Sequence, residues 1–178
     1  GGGFASIPER TIPMNDWLRF FGIWLAEGNT YRKKHGTRQA MSYITQNVGL
    51  KLKQMEQIVS RIGFGWRTQH DRDGSKATIQ ISGLQLYDYL RQFGKAAEKR
   101  IPSDFKGLPP SQIDILLDAM HLGDGSHVGS SGTRVWYTVS KALADDIAEL
   151  IFKAGRAANV RRQSPCKKYG DRCWVVSE

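Results

Sequence analysis

The sequence predicts an α+β fold made of two related halves. Two nine-residue stretches, FFGIWLAEG at residues 20–28 and LDAMHLGDG at residues 117–125, share a run of apolar residues that ends in a carboxylate and a glycine. After each stretch, strand-like and helix-like patterns follow in the same order. The chain has 178 residues and can bury one substantial core. We therefore expect one domain, or two halves fused together.

Each stretch is expected to close a helix, which we call a motif helix. In the first, Asn15 or Asp16 is placed to accept the free amides of the first turn, just after a proline. In the second, Ser111 and Asp114 have the spacing of a capping box, just after two prolines. The glycine that follows each carboxylate fits the left-handed position that often closes a helix. Both motif helices are thus expected to end at their carboxylate.

The rest of the first half is expected to contain two hairpins, a helix between them and a closing helix. Strand patterns occur at residues 30–34, 39–46, 66–70 and 76–82. Turns are expected at His35 and Gly36 and at residues 71–74. The helix between the hairpins has one apolar face: Val48, Leu52, Met55, Val59 and Ile62. The closing helix is marked by Leu84, Tyr87, Leu90 and Phe93.

The second half repeats this order with shorter loops. Its strand patterns occur at residues 127–129, 133–139, 158–163 and 172–176. Its helical face consists of Leu143, Ile147, Leu150, Ile151 and Ala154. A closing helix for this half is missing or would lie beyond Glu178. The expected division is a leading segment at 1–12, a first half at 13–94, a polar linker at 95–108 and a second half at 109–178.

Charge and composition indicate a polyanionic partner. Lys and Arg total 26 against 17 Asp and Glu, so the formal net charge is +9. No apolar run approaches the roughly 20 residues that span a bilayer, and no signal peptide opens the chain. We therefore expect a soluble intracellular protein, and the sequence does not predict its compartment. With only Cys166 and Cys173 and four scattered histidines, a disulfide scaffold or a four-ligand zinc site is not expected.

The motif helices carry small residues at the spacing of a close helix contact. Gly22 and Ala26 are four residues apart on the first helix, as are Ala119 and Gly123 on the second. Small residues at this spacing let two helix backbones approach closely. If the motif helices pack through these faces, the carboxylates at their ends come together.

Those carboxylates, Glu27 and Asp124, indicate a metal site. A carboxylate at a helix C-terminus faces the negative end of the helix dipole, at a cost of roughly 0.3–1 kcal/mol. Either acid alone could be a solvated helix end, but a bound divalent cation would offset the penalty of both. Oxygen ligands without His or Cys favour Mg²⁺ or Mn²⁺, with backbone or water near Gly28 and Gly125 completing the coordination.

The two motifs and the repeated order of elements resemble the LAGLIDADG homing endonucleases of the single-chain, two-motif type, over residues 13–178. EKRIPSDF at 98–105 resembles the lysine-containing KxIP block of endonucleases carried by inteins, as does VWYTVSKALADDIAEL at 135–150. The resemblance implies two αββαββα units, with motif helices packed at a pseudo-dyad and saddle-shaped sheets across DNA. It also implies metal-dependent cleavage of both strands at a long specific site, with Ca²⁺ binding without supporting cleavage.

The resemblance assigns roles to individual positions. Glu27 and Asp124 would be the catalytic, metal-binding acids, and Lys99 would steady the transition-state charge or a water. Gln46 would position the solvent network, and Ser140 holds the equivalent place in the second half. A basic residue for the second centre stays open among Lys141, Lys153, Lys167 and Lys168. The alternative from another class is a non-catalytic binder, an RNA maturase or a transcription regulator, but retention of both acids favours the nuclease.

The strand patterns carry side chains that can read base edges, because Arg and Lys suit guanine and Gln suits adenine in the major groove. The candidates in the first half are Arg32, Lys34, Arg38, Ser42, Arg67, Gln69, Arg72, Lys76, Thr78 and Gln80. Those in the second half are Arg134, Trp136, Thr138, Ser140, Arg161, Gln163, Lys167, Tyr169 and Arg172. A two-stranded ribbon in each half would let a monomer follow about two turns of double-stranded DNA.

Overall fold

Helices and strands alternate along the chain in the predicted order. The structure, a computed structural model, describes residues 9–32, 40–128, 132–163 and 173–178. The first-half elements are α1 (Met14–Glu27), β1 (Gly28–Arg32), β2 (Ala40–Asn47), α2 (Leu50–Ser60), β3 (Gly65–His70), β4 (Lys76–Ser82) and α3 (Leu84–Leu90). The second-half elements are α4 (Pro110–Asp124), β5 (Gly125–Val128), β6 (Thr133–Thr138), α5 (Lys141–Lys153), β7 (Asn159–Gln163) and β8 (Cys173–Ser177). The predicted α+β class is confirmed.

Each half contributes one four-stranded antiparallel sheet. The strand orders are β1-β2-β4-β3 and β5-β6-β8-β7, so the strand that follows each motif helix lies at a sheet edge. Directly paired residues share a face of the sheet. In the first sheet Ile44 pairs with Ile79, and both are fully buried toward the helices. The opposite face, which we call the outer face, points away from α1 and α4.

The two motif helices α1 and α4 pack through their small residues. A Cβ built on Gly22 would lie 2.6 Å from the Cβ of Ala119. One built on Gly123 would collide with the Cβ of Ala26. The close approach predicted from the spacing is confirmed, and it places the C-terminal ends of the two helices side by side.

The starts of the motif helices differ from the prediction. Pro13 occupies the cap position of α1, and Asp16 lies in the first turn, where it pairs with Arg19 at 3.4 Å. α4 begins with Pro110, so Ser111 lies inside the first turn and the predicted capping box is wrong. Proline at a helix start already has the required φ and lacks an N–H that would need a partner.

The glycines that end the motif helices are not left-handed caps. Gly28 has φ −89° and ψ 157°, and Gly125 has φ −86° and ψ 159°, so each helix passes directly into an edge strand. A Cβ at Gly28 would overlap the ring of Trp24, and one at Gly125 would overlap the ring of His121. Glycine is required at these positions because an aromatic ring lies on the backbone.

The segment predicted to be a polar linker contributes to the core. Lys99, Ile101 and Phe105 are buried, and a short 3-10 turn spans Ser103–Gly107. The ring of Phe105 meets the ring of Phe21 edge-on at 5.3 Å between centroids. Tertiary contacts with α1 therefore outweigh the polar composition of this segment.

Two predicted apolar faces include a first residue that is exposed. Val48 precedes the start of α2 and is exposed, whereas Leu52, Met55, Val59 and Ile62 are buried as expected. Leu84 is the first residue of α3 and is also exposed, and Leu86 takes its place in the core. Among the helices of the described segments, none is long and apolar enough to cross a membrane.

Candidate active site

Glu27 and Asp124 close α1 and α4 at the place where those helices meet. Both side chains are half-buried. The Cγ atom of Glu27 lies 3.3 Å from the position that a Cβ on Gly123 would occupy, so the first acid lies against the residue that precedes the second. Both carboxylates raise the pKa of Lys99, which lies close to each of them. The structure thus brings the two predicted acids to one place.

The residues at this place fit a divalent ion that keeps much of its own water. Within the described segments, no group of three or more His, Cys, Asp and Glu side chains could hold a metal ion. Mg²⁺ is commonly held by one or two carboxylates together with waters and substrate phosphates. Glu27 and Asp124 match that pattern. The carbonyl oxygen of Gly28, predicted to help hold the ion, already accepts a hydrogen bond from Lys99.

The ammonium of Lys99 is directed at the end of α1. It donates to the carbonyl oxygens of Trp24 (2.8 Å), Leu25 (2.9 Å) and Gly28 (2.7 Å), and its side chain is 3% exposed. A lysine ammonium has three hydrogens, so these contacts use all of its donors. Burial lowers the pKa of Lys99 to about 8, although Asp124 and Glu27 oppose that shift. A cation here is favourable because the carbonyl end of a helix is the negative end of the helix dipole.

The two positions predicted to organise solvent have different surroundings. Gln46 lies on β2 two residues beyond Ile44, which pairs with Gly28, so it is near the end of α1. Its side-chain oxygen accepts a hydrogen bond from the N–H of Asn47 at 2.8 Å. Ser140 is fully buried and caps α5, so the prediction that it contacts DNA is wrong.

Space beside the two acids is unequal. A cavity of about 560 Å³ is bordered by Glu27, Arg91, Lys95 and Lys99. A much smaller cavity of about 40 Å³, with room for only a few water molecules, is bordered by Asp124 and Lys99. Of these two cavities, the one beside Glu27 is large enough for a substrate group.

The outer face of the first sheet is polar. Arg67, Gln69, Lys76, Thr78 and Gln80 lie on this face, on the strands where they were predicted. The Nε of Arg67 donates to the side-chain oxygen of Gln80 at 3.0 Å. The side-chain nitrogen of Gln80 in turn donates to Gln69 at 2.6 Å. These three side chains are therefore held in fixed relative orientations.

Other outer-face residues were not predicted from the sequence. They are Asn29, Tyr31, Met41, Tyr43, Thr45, Asn47 and Ser82. A signal for β2 was available, because side chains alternate between faces and Ile44 is an obvious core residue. Counting by twos from Ile44 places Ser42 inward, where it is 1% exposed, so its prediction as a DNA contact is wrong. Arg32 pairs with the buried Ala40 and also belongs to the helix side of the sheet.

In the second sheet, the predicted reading face of β6 points inward. Trp136 is 1% exposed and donates from Nε1 to the carbonyl oxygen of Leu117 at 3.2 Å. Thr138 is buried on the same side, and Arg134 pairs there with Asp118 at 2.7 Å. These side chains pack toward α4, so their prediction as outward DNA contacts is wrong.

The outer face of the second sheet has an apolar centre. Val135, Cys173 and Val175 form a buried cluster there with Tyr137 packed against it. Arg161 and Gln163 lie on this face beside the cluster, on the strand where they were predicted. Arg72 is exposed in the turn between β3 and β4. The remaining candidates lie outside the described residues: Lys34, Arg38, Lys167, Tyr169 and Arg172.

The chain matches segments of three curated proteins, whereas no protein-family model matches it. It is 29% identical over 168 residues to the ATP-dependent Clp protease proteolytic subunit of Chlamydomonas moewusii, covering 90% of the chain and 16% of that protein. It is 32% identical over 146 residues to the DNA polymerase II large subunit of Thermococcus kodakarensis, covering 81% and 8%. It is 29% identical over 192 residues to the DNA-directed RNA polymerase subunit beta C-terminal section of Stigeoclonium helveticum, covering 86% and 17%. The chain spans less than a fifth of each of these relatives.

Solved structures match nearly the whole chain. I-DmoI in complex with DNA and Mn has a TM-score of 0.65 at 12% identity, covering 92% of this chain and 89% of that one. The homing endonuclease I-WcaI bound to its DNA recognition sequence has a TM-score of 0.59 at 12% identity, covering 95% and 77%. The N-terminal LAGLIDADG domain of WhiA has a TM-score of 0.59 at 7% identity, covering 96% and 78%. The chain therefore has the LAGLIDADG homing-endonuclease fold that its duplicated motif predicted.

Proposed function

We propose that the chain is a site-specific endonuclease that hydrolyses one phosphodiester in each strand of a long double-stranded DNA target. The observation that carries the proposal is the meeting of Glu27 and Asp124 at the joined ends of α1 and α4. Two carboxylates at neighbouring helix C-termini oppose both helix dipoles and each other. A stable fold has no need of that arrangement, whereas a metal-dependent phosphodiesterase does. The structures of I-DmoI with DNA and Mn support the same reading.

In this proposal, residues of the chain itself position the metal ion and the solvent. Glu27 and Asp124 would hold the ion, Mg²⁺ or Mn²⁺, which when bound supplies a nucleophilic water and neutralises developing phosphoryl charge. Each acid sits at the end of a rigid, tightly packed helix, so its position is set before DNA arrives. Gln46, near the end of α1, would orient solvent beside the first acid. We expect Ca²⁺ to occupy the site without supporting cleavage.

DNA would lie along the outer faces of the two sheets. In the first half, the linked side chains of Arg67, Gln80 and Gln69 offer a pre-organised set of donors and acceptors to base edges. In the second half, Arg161 and Gln163 are the described candidates. The net charge of +9 favours phosphate contacts, so affinity should fall steeply with salt. A monomer would cover about two helical turns, since it carries both acids and both sheets.

The curated relatives support an inserted endonuclease, as in inteins. A protease subunit, a DNA polymerase subunit and an RNA polymerase subunit have unrelated named activities. Each matches this chain over less than a fifth of its length. A segment common to all three cannot be the source of those different activities. An endonuclease segment inserted into different host proteins accounts for the pattern.

Cleavage of plasmids with long randomised inserts tests the proposal. The parent protein is incubated with Mg²⁺ beside Glu27→Gln and Asp124→Asn, and Asp118→Asn serves as a control that makes the same charge change on an exposed part of α4. We expect linearised product from the parent and the control, and none from the two active-site variants. If the parent binds DNA or RNA but cuts nothing, the nuclease proposal fails and the non-catalytic binder takes its place.

A further inference from the structure

We propose that Lys99 is a positioning residue, which holds the end of α1 and thereby Glu27, and that α5 of the second half holds Lys99 in place. Residues 99–101 would then act as a strap that runs from the second half to the first acid. The inference rests on the proposed nuclease function and names residues that act in it without touching DNA.

The first part of the strap is the Lys99 side chain. All three of its hydrogens point to carbonyl oxygens of Trp24, Leu25 and Gly28, at 2.7–2.9 Å. These carbonyls flank Glu27 on both sides along the chain. A water or phosphate could engage the ammonium only by displacing one of these hydrogen bonds, so its present geometry serves the helix end.

The second part of the strap is the Lys99 backbone. The hydroxyl of Ser140 donates to the carbonyl oxygen of Lys99 at 2.6 Å and accepts from the N–H of Leu143 at 3.1 Å. Ser140 therefore caps α5 and holds Lys99 with the same oxygen. Because Ser140 is fully buried, the contact is shielded from water.

A second contact fixes the strap two residues further on. The carboxylate of Asp146, on α5, accepts from the N–H of Ile101 at 2.7 Å and pairs with Lys106. Asp146 and the Ile101 side chain are both buried. Two backbone groups of the strap are thus held by one helix of the second half, at positions nearly two turns apart on that helix.

The end of α4 has a different support. His121, at the position of α4 that matches Trp24 on α1, contacts the carbonyl oxygen of Ser126 through Nε2 at 3.0 Å. Its support comes from its own helix and the strand that follows. The second half therefore stabilises both acids, and the two acids should respond differently to changes in α5.

Matched variants of α5 test the strap. Ser140→Ala and Asp146→Ala remove the two contacts, whereas Ser140→Thr and Asp146→Asn each keep an oxygen that can make them. Ile151→Val is the control for loss of α5 packing away from the strap. Single-turnover cleavage in Mg²⁺ and DNA affinity in Ca²⁺ are measured for each. We expect the two alanine variants to cut roughly 10–100-fold more slowly with unchanged affinity, because a small misplacement of a catalytic group has that effect.

The conservative variants and Ile151→Val should cut like the parent. If the strap had no part in placing Glu27, the buried Ser140 and Asp146 could be changed without effect on cleavage. Equal cleavage rates in all five variants would therefore overturn the strap while leaving the nuclease proposal intact. If the parent itself does not cut, Mn²⁺ binding followed by electron paramagnetic resonance decides: weaker binding in the alanine variants alone supports the strap, and unchanged binding overturns it.

Discussion

Gly123 of α4 lies so close to Ala26 of α1 that a methyl group on the glycine would collide with the alanine side chain. The reciprocal contact places Gly22 of α1 against Ala119 of α4. Two glycine–alanine pairs thus set the separation of the motif helices. Since each helix ends at an acid, the same contacts also set the distance between Glu27 and Asp124.

Substitution of Gly123 by alanine should therefore damage both stability and cleavage. The new methyl group has no room, and overpacking of this kind costs about 1–3 kcal/mol of unfolding free energy. The separation of the acids should change with it, so cleavage should fall more than DNA binding. Urea denaturation and a cleavage assay measure the two effects. Gly107→Ala is the matched control, because a Cβ there meets nothing within 4 Å; an equal loss in both variants would contradict the helix-contact argument.

Arg67→Ala should weaken DNA recognition at one base position. Its guanidinium lies on the outer face and is oriented by Gln80. Loss of a well-placed base contact costs about 1–3 kcal/mol of discrimination. This discrimination is measured by comparing binding to the cleavage site with binding to sites that carry a single base-pair change. Arg32→Ala is the control, since Arg32 belongs to the helix side of its sheet; a loss of specificity only in that variant would show that the faces are reversed.

Trp136→Ala should lower the free energy of unfolding. Its effect should not be that of a lost DNA contact. The ring is buried beneath α4 with its N–H bonded to Leu117. Removal of such a ring costs about 3–5 kcal/mol. Thermal and denaturant unfolding measure the change. Tyr137→Phe tests the neighbouring outward residue with little effect on the core. An unchanged melting temperature in Trp136→Ala would contradict the inward placement.

Acidification should destabilise the fold through His121. Burial lowers the pKa of His121 below the value of 6.5 expected for an unfolded chain, and nearby Arg134 lowers it further. Below pH 6.5 the unfolded state therefore binds protons that the folded state does not, so the free energy of unfolding falls as the pH falls. Denaturation between pH 7 and 5 measures the slope. The pH dependence of the free energy of unfolding should flatten in His121→Phe. It should persist in His127→Gln, because His127 is exposed; the reverse pattern would assign the effect to His127.

The order of elements, the helix contact and the two acids could be predicted from the sequence because they depend on local spacing. A carboxylate before a glycine, at matched places in a repeat, predicts that Glu27 and Asp124 lie at corresponding helix ends. Small residues four apart predict the contact of α1 with α4 for a purely steric reason. Both signals lie within a single helix and need no knowledge of what packs on it.

The inward face of β6 and the surroundings of Lys99 were decided only by the tertiary structure. In β6 the apolar residues Val135, Trp136 and Tyr137 are consecutive, so alternation alone cannot say which side is buried. The large ring of Trp136 goes inward because α4 offers both an apolar surface and a carbonyl for its N–H. Lys99 lies in a polar segment of the sequence, and only the meeting of α1, the strap and α5 reveals that its charge is enclosed. The contacts that enclose Lys99 and turn Trp136 inward join residues far apart in the chain, and no local pattern in the sequence marks them.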